Sequence, residues 1–279
     1  MQRFTRAIRN SKSALAALLQ GRTAEPVELS EATKERIGPI EAFHLNFSDR
    51  IDGWLDGFTA RRTSDLLDFQ VRTGTRGPLY EVGVYKGKYL SVLLRSALLS
   101  GDRLFGIDVF NATTRGEFEA YFKTMMDLEF HVEILEGLST SWSAYDLIRI
   151  FGGEVRFVSI DGSHEYEDVL WDLKVASAVA SPACIISADD FFNPECLGTN
   201  QAINYFLSHS DEFKPFVYLP GKMLMCRPSY VPAYQGELIR CMAADVDNPK
   251  SVKFTQMYGG PYSHSVMPKF HGVPTIQLH

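Results

Sequence analysis

The 279-residue chain has no apolar run near the roughly 18 residues that a membrane-spanning helix needs, so no membrane partner is expected. Its four cysteines, Cys184, Cys196, Cys226 and Cys241, contain no C-x-x-C pair. That spacing speaks against a zinc knuckle and against a disulfide framework. Cys184 and Cys226 lie in apolar runs and read as small core residues. Such usage suits a reducing, cytoplasmic compartment. Positive charge is in deficit, with 28 basic against 34 acidic residues and a net charge of −6. A broad phosphate-neutralising surface is therefore not expected, nor is a nucleic-acid partner. Internal repeats and low-complexity stretches are missing too. The dinucleotide fingerprint G-x-G-x-x-G is absent: EVGVYKG supplies Gly83 and Gly87, with Tyr85 where the second glycine would stand. A pyrophosphate would lack its usual cradle, which weakens the case for a nicotinamide oxidoreductase.

What remains is an ordinary globular composition, 45% apolar and 22% charged, enough for one large domain with appendages. Residues 1–75 read as a helical cap. Phe4, Ile8, Leu15, Leu18 and Leu19 have rough helical spacing, Pro26 and Pro39 break it, and Ile51 to Phe69 resumes it. Arg3, Arg6, Arg9 and Lys12 precede ALAALL in the order of a targeting signal. The apolar part is short and no small-residue cleavage site follows, so a surface or oligomer-contact helix is the expectation. His44 and Trp54 are either lid packing or substrate contacts, packing being the expectation.

Residues 76–230 alternate strand and helix. LYEVGV, RLFGIDVF, HVEILEG, VRFVSID and CIISADD are apolar strands with helix-period segments between them. Gly101 is placed to end the first of these helices, and Thr113 or Thr114 with Glu117 to cap the second. FKPFVYL and KMLMCRP, joined through Pro220-Gly221, read as a hairpin. The alternation predicts an α/β, Rossmann-like sheet of five parallel strands plus an antiparallel pair, helices on both faces. Residues 231–279 read as an irregular tail packed on the domain, in which Tyr262 and His264 border either the acceptor pocket or ordinary loop packing.

Three strand ends carry acid: Asp108, Asp161 and the pair Asp189-Asp190. Ligands bind at that edge of an open parallel sheet. Asp108, about 20 residues beyond the glycine turn, is spaced to hold both ribose hydroxyls of a nucleoside; a helix cap is its other reading. Glu81 inside a strand needs a functional partner or an ion pair with Lys86 or Lys88. Asp161, Asp189 and Asp190 on neighbouring strands would repel unless a cation compensates, and oxygen donors of this kind suit magnesium. His164 is placed as a general base or as an anchor for Asp161.

EVGVYKG, GIDVF, EGLSTS, IDGSHEYEDVLWDL and SADDFF, in that order over about Leu79 to Pro228, resemble the class I S-adenosylmethionine-dependent methyltransferases. Within them the set is similar to the metal-dependent branch acting on sugar and small-molecule hydroxyls. The resemblance implies a seven-stranded sheet whose last strand is inserted antiparallel. It implies S-adenosylmethionine held by Glu81, Gly83, Tyr85, Gly87, Asp108 and Asp161, with Ser139 or Ser141 near the adenine. It implies Mg2+ on Asp161, Asp189 and Asp190, catalysis by His164 and Asp161, and a homo-oligomer, commonly a dimer. The alternatives are a metal-independent N- or C-methyltransferase and a nucleoside-binding assembly module without chemistry.

Overall fold

The computed structural model describes residues 29–259 and 267–278. The expected helix at Phe4 to Leu19, with its basic residues, and the tail residues Tyr262 and His264 lie outside them. The chain enters through three helices, α1 (Glu31–Ile37), α2 (Ile40–Asn46) and α3 (Gly57–Arg72). It then alternates through β1 (Leu79–Val82), α4 (Lys88–Ser100), β2 (Leu104–Asp108), α5 (Arg115–Met126), β3 (Glu133–Glu136), α6 (Ala144–Phe151), β4 (Val155–Ile160), α7 (Tyr166–Val179), β5 (Ala180–Ala188) and α8 (Leu197–His209). The hairpin β6 (Lys214–Leu219) and β7 (Lys222–Cys226) follows, then α9 (Val231–Ala244), α10 (Pro249–Phe254) and the short strands β8 (Lys269–Phe270), β9 (Val273–Pro274) and β10 (Ile276–Gln277).

The sheet runs β3-β2-β1-β4-β5-β7-β6-β10, parallel except for β7, which is antiparallel to both neighbours. Helices cover both faces, so central strands are buried on both sides and read as continuous apolar runs. All six residues of β4 are buried. The expected seven strands are present, and β10 adds an eighth beside β6. Local signals act as their chemistry dictates. Gly101 closes α4 at φ 74°, and Thr114 with Glu117 forms a capping box on α5.

The tail is more regular than expected. Val231, Tyr234, Leu238 and Met242 form the buried stripe of α9, at helical spacing that Pro232 and Gly236 obscure. Pro232 is tolerated because it lies in the first turn, where its missing N–H has no intrahelical acceptor. Among the described residues no helix is long and apolar enough to cross a membrane.

A buried arginine joins the N-terminal helices to the sheet. Arg156 on β4 donates to Asp102 at 2.8 Å, to Gln70 of α3 at 3.0 Å and to Ser96 of α4 at 3.0 Å. Gln70 in turn donates to the carbonyls of Arg156 and Ala183 at 2.9 and 3.0 Å. Arg156→Ala leaves Asp102 and Gln70 without their buried partner and is expected to cost about 3–5 kcal/mol of stability, read as a lower urea midpoint. An unchanged midpoint would contradict this role.

Candidate active site

Strand order reverses between β1 and β4, and the ends of those two strands almost touch. Gly83 follows β1 at φ 81°, and a Cβ there would stand 1.8 Å from the Asp161 carbonyl oxygen. Only glycine permits this approach. The turn beyond it is held by Asp108 at the end of β2. Its Oδ2 accepts the N–H of Val84 at 2.7 Å and of Tyr85 at 2.9 Å, and its Oδ1 accepts the N–H of Phe110 at 2.6 Å. A carboxylate offers about four lone-pair sites, so three are committed to the loops and room is left for one further donor. Asp108 is thus the clamp of the glycine turn.

A groove of about 400 Å3 runs from this turn past Asp108, Phe110, Leu138 and Ser139. A second cavity, about 750 Å3, lies on the other side and is walled by Glu81, Asp161, His164, Asp189, Asp190 and Lys222. Gly83, Tyr85, Asp161 and Gly162 line both. Two compartments therefore meet at one point, beside the Gly83–Asp161 contact. A further hollow of about 820 Å3, lined by Arg61, Arg62 and Arg240, shares none of these residues.

The expected site residues fall as follows. Ser139 lines the groove and Ser141 does not. Gly87 reaches neither cavity; its φ of 86° starts α4, and a Cβ there would strike Phe122 at 2.6 Å. Glu81 is buried on the cavity side. Ser159 donates to its Oε1 at 3.4 Å while Oε2 has no partner. Burial drives its carboxyl well above the usual range, with Lys222 opposing. Trp54 is 88% exposed, stacks on Tyr85 with ring centroids 5.5 Å apart, and lines the second cavity. His44, by contrast, is buried against Ser64 at 3.0 Å, and burial lowers its pKa to about 4.

Asp161, Asp189 and Asp190 share the cavity but face different partners. The register Ala188↔Met223 between β5 and β7 sets Asp189 opposite Lys222. Lys222, only 2% exposed, donates to Asp189 Oδ2 at 2.5 Å, lies 3.8 Å from Asp161 Oδ2 and stands 4.2 Å from the Tyr89 ring centre. Asp161 keeps 30% of its side chain open to the cavity. Its position deep under surrounding atoms and the charge of Asp189 nevertheless lift its carboxyl well above the usual range. Burial pushes Asp189 the same way, but the Lys222 ammonium and a hydrogen bond from Asp161 overcome it and hold Asp189 below. The two carboxyls are therefore pushed in opposite directions, Asp161 up and Asp189 down.

Asp190, at φ 55°, turns the other way. Its Oδ2 is 2.9 Å from His164 Nε2, its Oδ1 accepts from Asn193 Nδ2 at 2.7 Å, and Cys196 Sγ lies within 4.8 Å of donor atoms on both His164 and Asp190. Gly198 holds this arrangement close, since a Cβ there would stand 2.3 Å from the His164 carbonyl oxygen. Magnesium needs near-octahedral oxygen ligands at about 2.1 Å. With Lys222 between Asp161 and Asp189, and Asp189 Oδ1 taken by the Asp190 N–H at 2.9 Å, the three acids do not fit such an ion as a set.

The parallel sheet, its reversal between β1 and β4 and its single antiparallel strand have the architecture of the class I methyltransferase fold. Residues 80–191 match the family model described as a methyltransferase domain. No curated protein matches the chain. Among solved structures it is similar to apo CalS11, a TDP-rhamnose 3'-O-methyltransferase of calicheamicin biosynthesis, at 19% identity and TM-score 0.50, over 79% of this chain and 94% of that one. An O-methyltransferase from Bacillus cereus with S-adenosylhomocysteine aligns at 14% identity and TM-score 0.44, over 78% and 98%. MycE, of mycinamycin biosynthesis, aligns at 16% and 0.46, over 63% and 50%. At these identities the likeness is one of fold.

Asp108→Ala releases the turn and is expected to weaken S-adenosylhomocysteine binding at least about tenfold, the worth of one charge-assisted hydrogen bond. Calorimetry that finds the variant as tight as the parent would remove Asp108 from the site.

Proposed function

We propose that the chain transfers the methyl group of S-adenosylmethionine to a hydroxyl of a small molecule or sugar. The observation that carries this reading is the meeting of the two cavities at Gly83 and Asp161. The nucleoside lies in the groove, with one ribose hydroxyl on Asp108 and the adenine toward Ser139. The sulfonium lies at the junction, and the acceptor fills the wider cavity behind it. Glu81 and Tyr85 border the methionine end.

The acceptor oxygen attacks the methyl carbon as the carbon–sulfur bond breaks and its electron pair returns to sulfur. The hydroxyl proton goes to His164. A neutral imidazole bonded to a carboxylate through Nε2 carries its hydrogen there, which leaves Nδ1 as the basic edge. Asp190 thus orients the base and Asn193 orients Asp190. Asp161 walls the junction and brings its carboxyl to the same point. The two compartments hold donor and acceptor in line, which accounts for much of the rate in such a transfer.

Magnesium-assisted transfer is a second reading. It is favoured by three acids on one cavity wall and requires Lys222 to leave Asp189. Both readings are tested by methyl transfer from labelled S-adenosylmethionine to a panel of sugar nucleotides and phenols, with and without chelator. Chelator-insensitive turnover that falls about 100-fold or more in His164→Ala, the usual worth of a general base, is the expected result. Turnover abolished by chelator and restored by Mg2+ would establish the second reading. Failure of either cofactor form to bind would sink both.

A further inference from the structure

We propose that Lys222 is a resident cation that takes the place of a divalent metal between Asp161 and Asp189. The inference rests on the reading of this cavity as the acceptor side, but its test needs no acceptor. A lysine that opens a strand of otherwise apolar residues, KMLMC, is costly to bury unless its charge is met. Here it is met by Asp189 at 2.5 Å and Asp161 at 3.8 Å, while the face of Tyr89 stacks beneath it at 4.2 Å. Tyr89 is itself fixed, its hydroxyl donating to Ser187 at 3.3 Å and lying 3.2 Å from Thr63.

Its ammonium bonds one oxygen of Asp189 and lies beside one of Asp161, two of the oxygens that a hard ion would have to use. Two acids crowded at one strand edge need a positive charge to coexist. Lys222 supplies it from within the chain, by the antiparallel register of β7 on β5. It acts as a positioning residue. It fixes the Asp161–Asp189 wall beside the reacting centre and closes that seat to ions from solution.

The test is Mn2+ binding, followed by the electron paramagnetic resonance of the free ion, in the wild type, Lys222→Gln and Lys222→Met. Manganese shares the oxygen preference of magnesium and reports directly. The wild type is expected to leave Mn2+ free throughout the micromolar range. Each variant that keeps its fold by circular dichroism is expected to bind Mn2+ at least about tenfold more tightly, the effect of removing a unit charge beside the ion. Asp189→Asn in the Lys222→Gln background is expected to abolish that gain. Micromolar Mn2+ binding by the wild type, or no gain in a folded variant, would overturn the proposal. Calorimetry with S-adenosylhomocysteine on the same samples separates either outcome from a failure of the methyltransferase reading.

Discussion

The site depends on one steric permission: the main chains after β1 and β4 come together because Gly83 has no side chain. That contact brings Asp161 against the glycine turn, and the groove beside Asp108 and the wider cavity share Gly83, Tyr85, Asp161 and Gly162 as lining. Asp108 then freezes the turn by taking three backbone N–H groups.

The electrostatics of the wider cavity follow from its position. Acids at strand ends are cheap when solvated and costly when roofed over, and here the N-terminal segment and the hairpin roof them. Two solutions sit side by side. Asp161 and Asp189 share a lysine, while Asp190 is paired with His164 and Asn193. The first is built around a buried lysine, and the second is part-exposed.

Much of this was legible in the residues. The alternation of apolar runs, the Gly101 stop, the Thr114 capping box and the acids at three strand ends all rest on local chemistry, and local chemistry is what a sequence displays. The partnerships were not legible. Asp189 meets Lys222 across 33 positions and only through hairpin register, so the residues alone display three acids and no cation beside them. The signal was present in KMLMC, because a charged residue opening a buried strand demands a buried partner. The hold of Asp108 on the turn was not legible either: how many loop N–H groups it takes depends on backbone angles such as the φ of 49° at Tyr85. The helix α9 was missed for a different reason, since Pro232 and Gly236 masked an otherwise regular apolar stripe.

A crystal structure with S-adenosylhomocysteine would test the central claim most directly. The account predicts the adenosyl group between Asp108 and Ser139, with the sulfur at the Gly83–Asp161 contact facing His164. A nucleoside bound elsewhere, or a sulfur turned away from the cavity of Lys222 and His164, would contradict it.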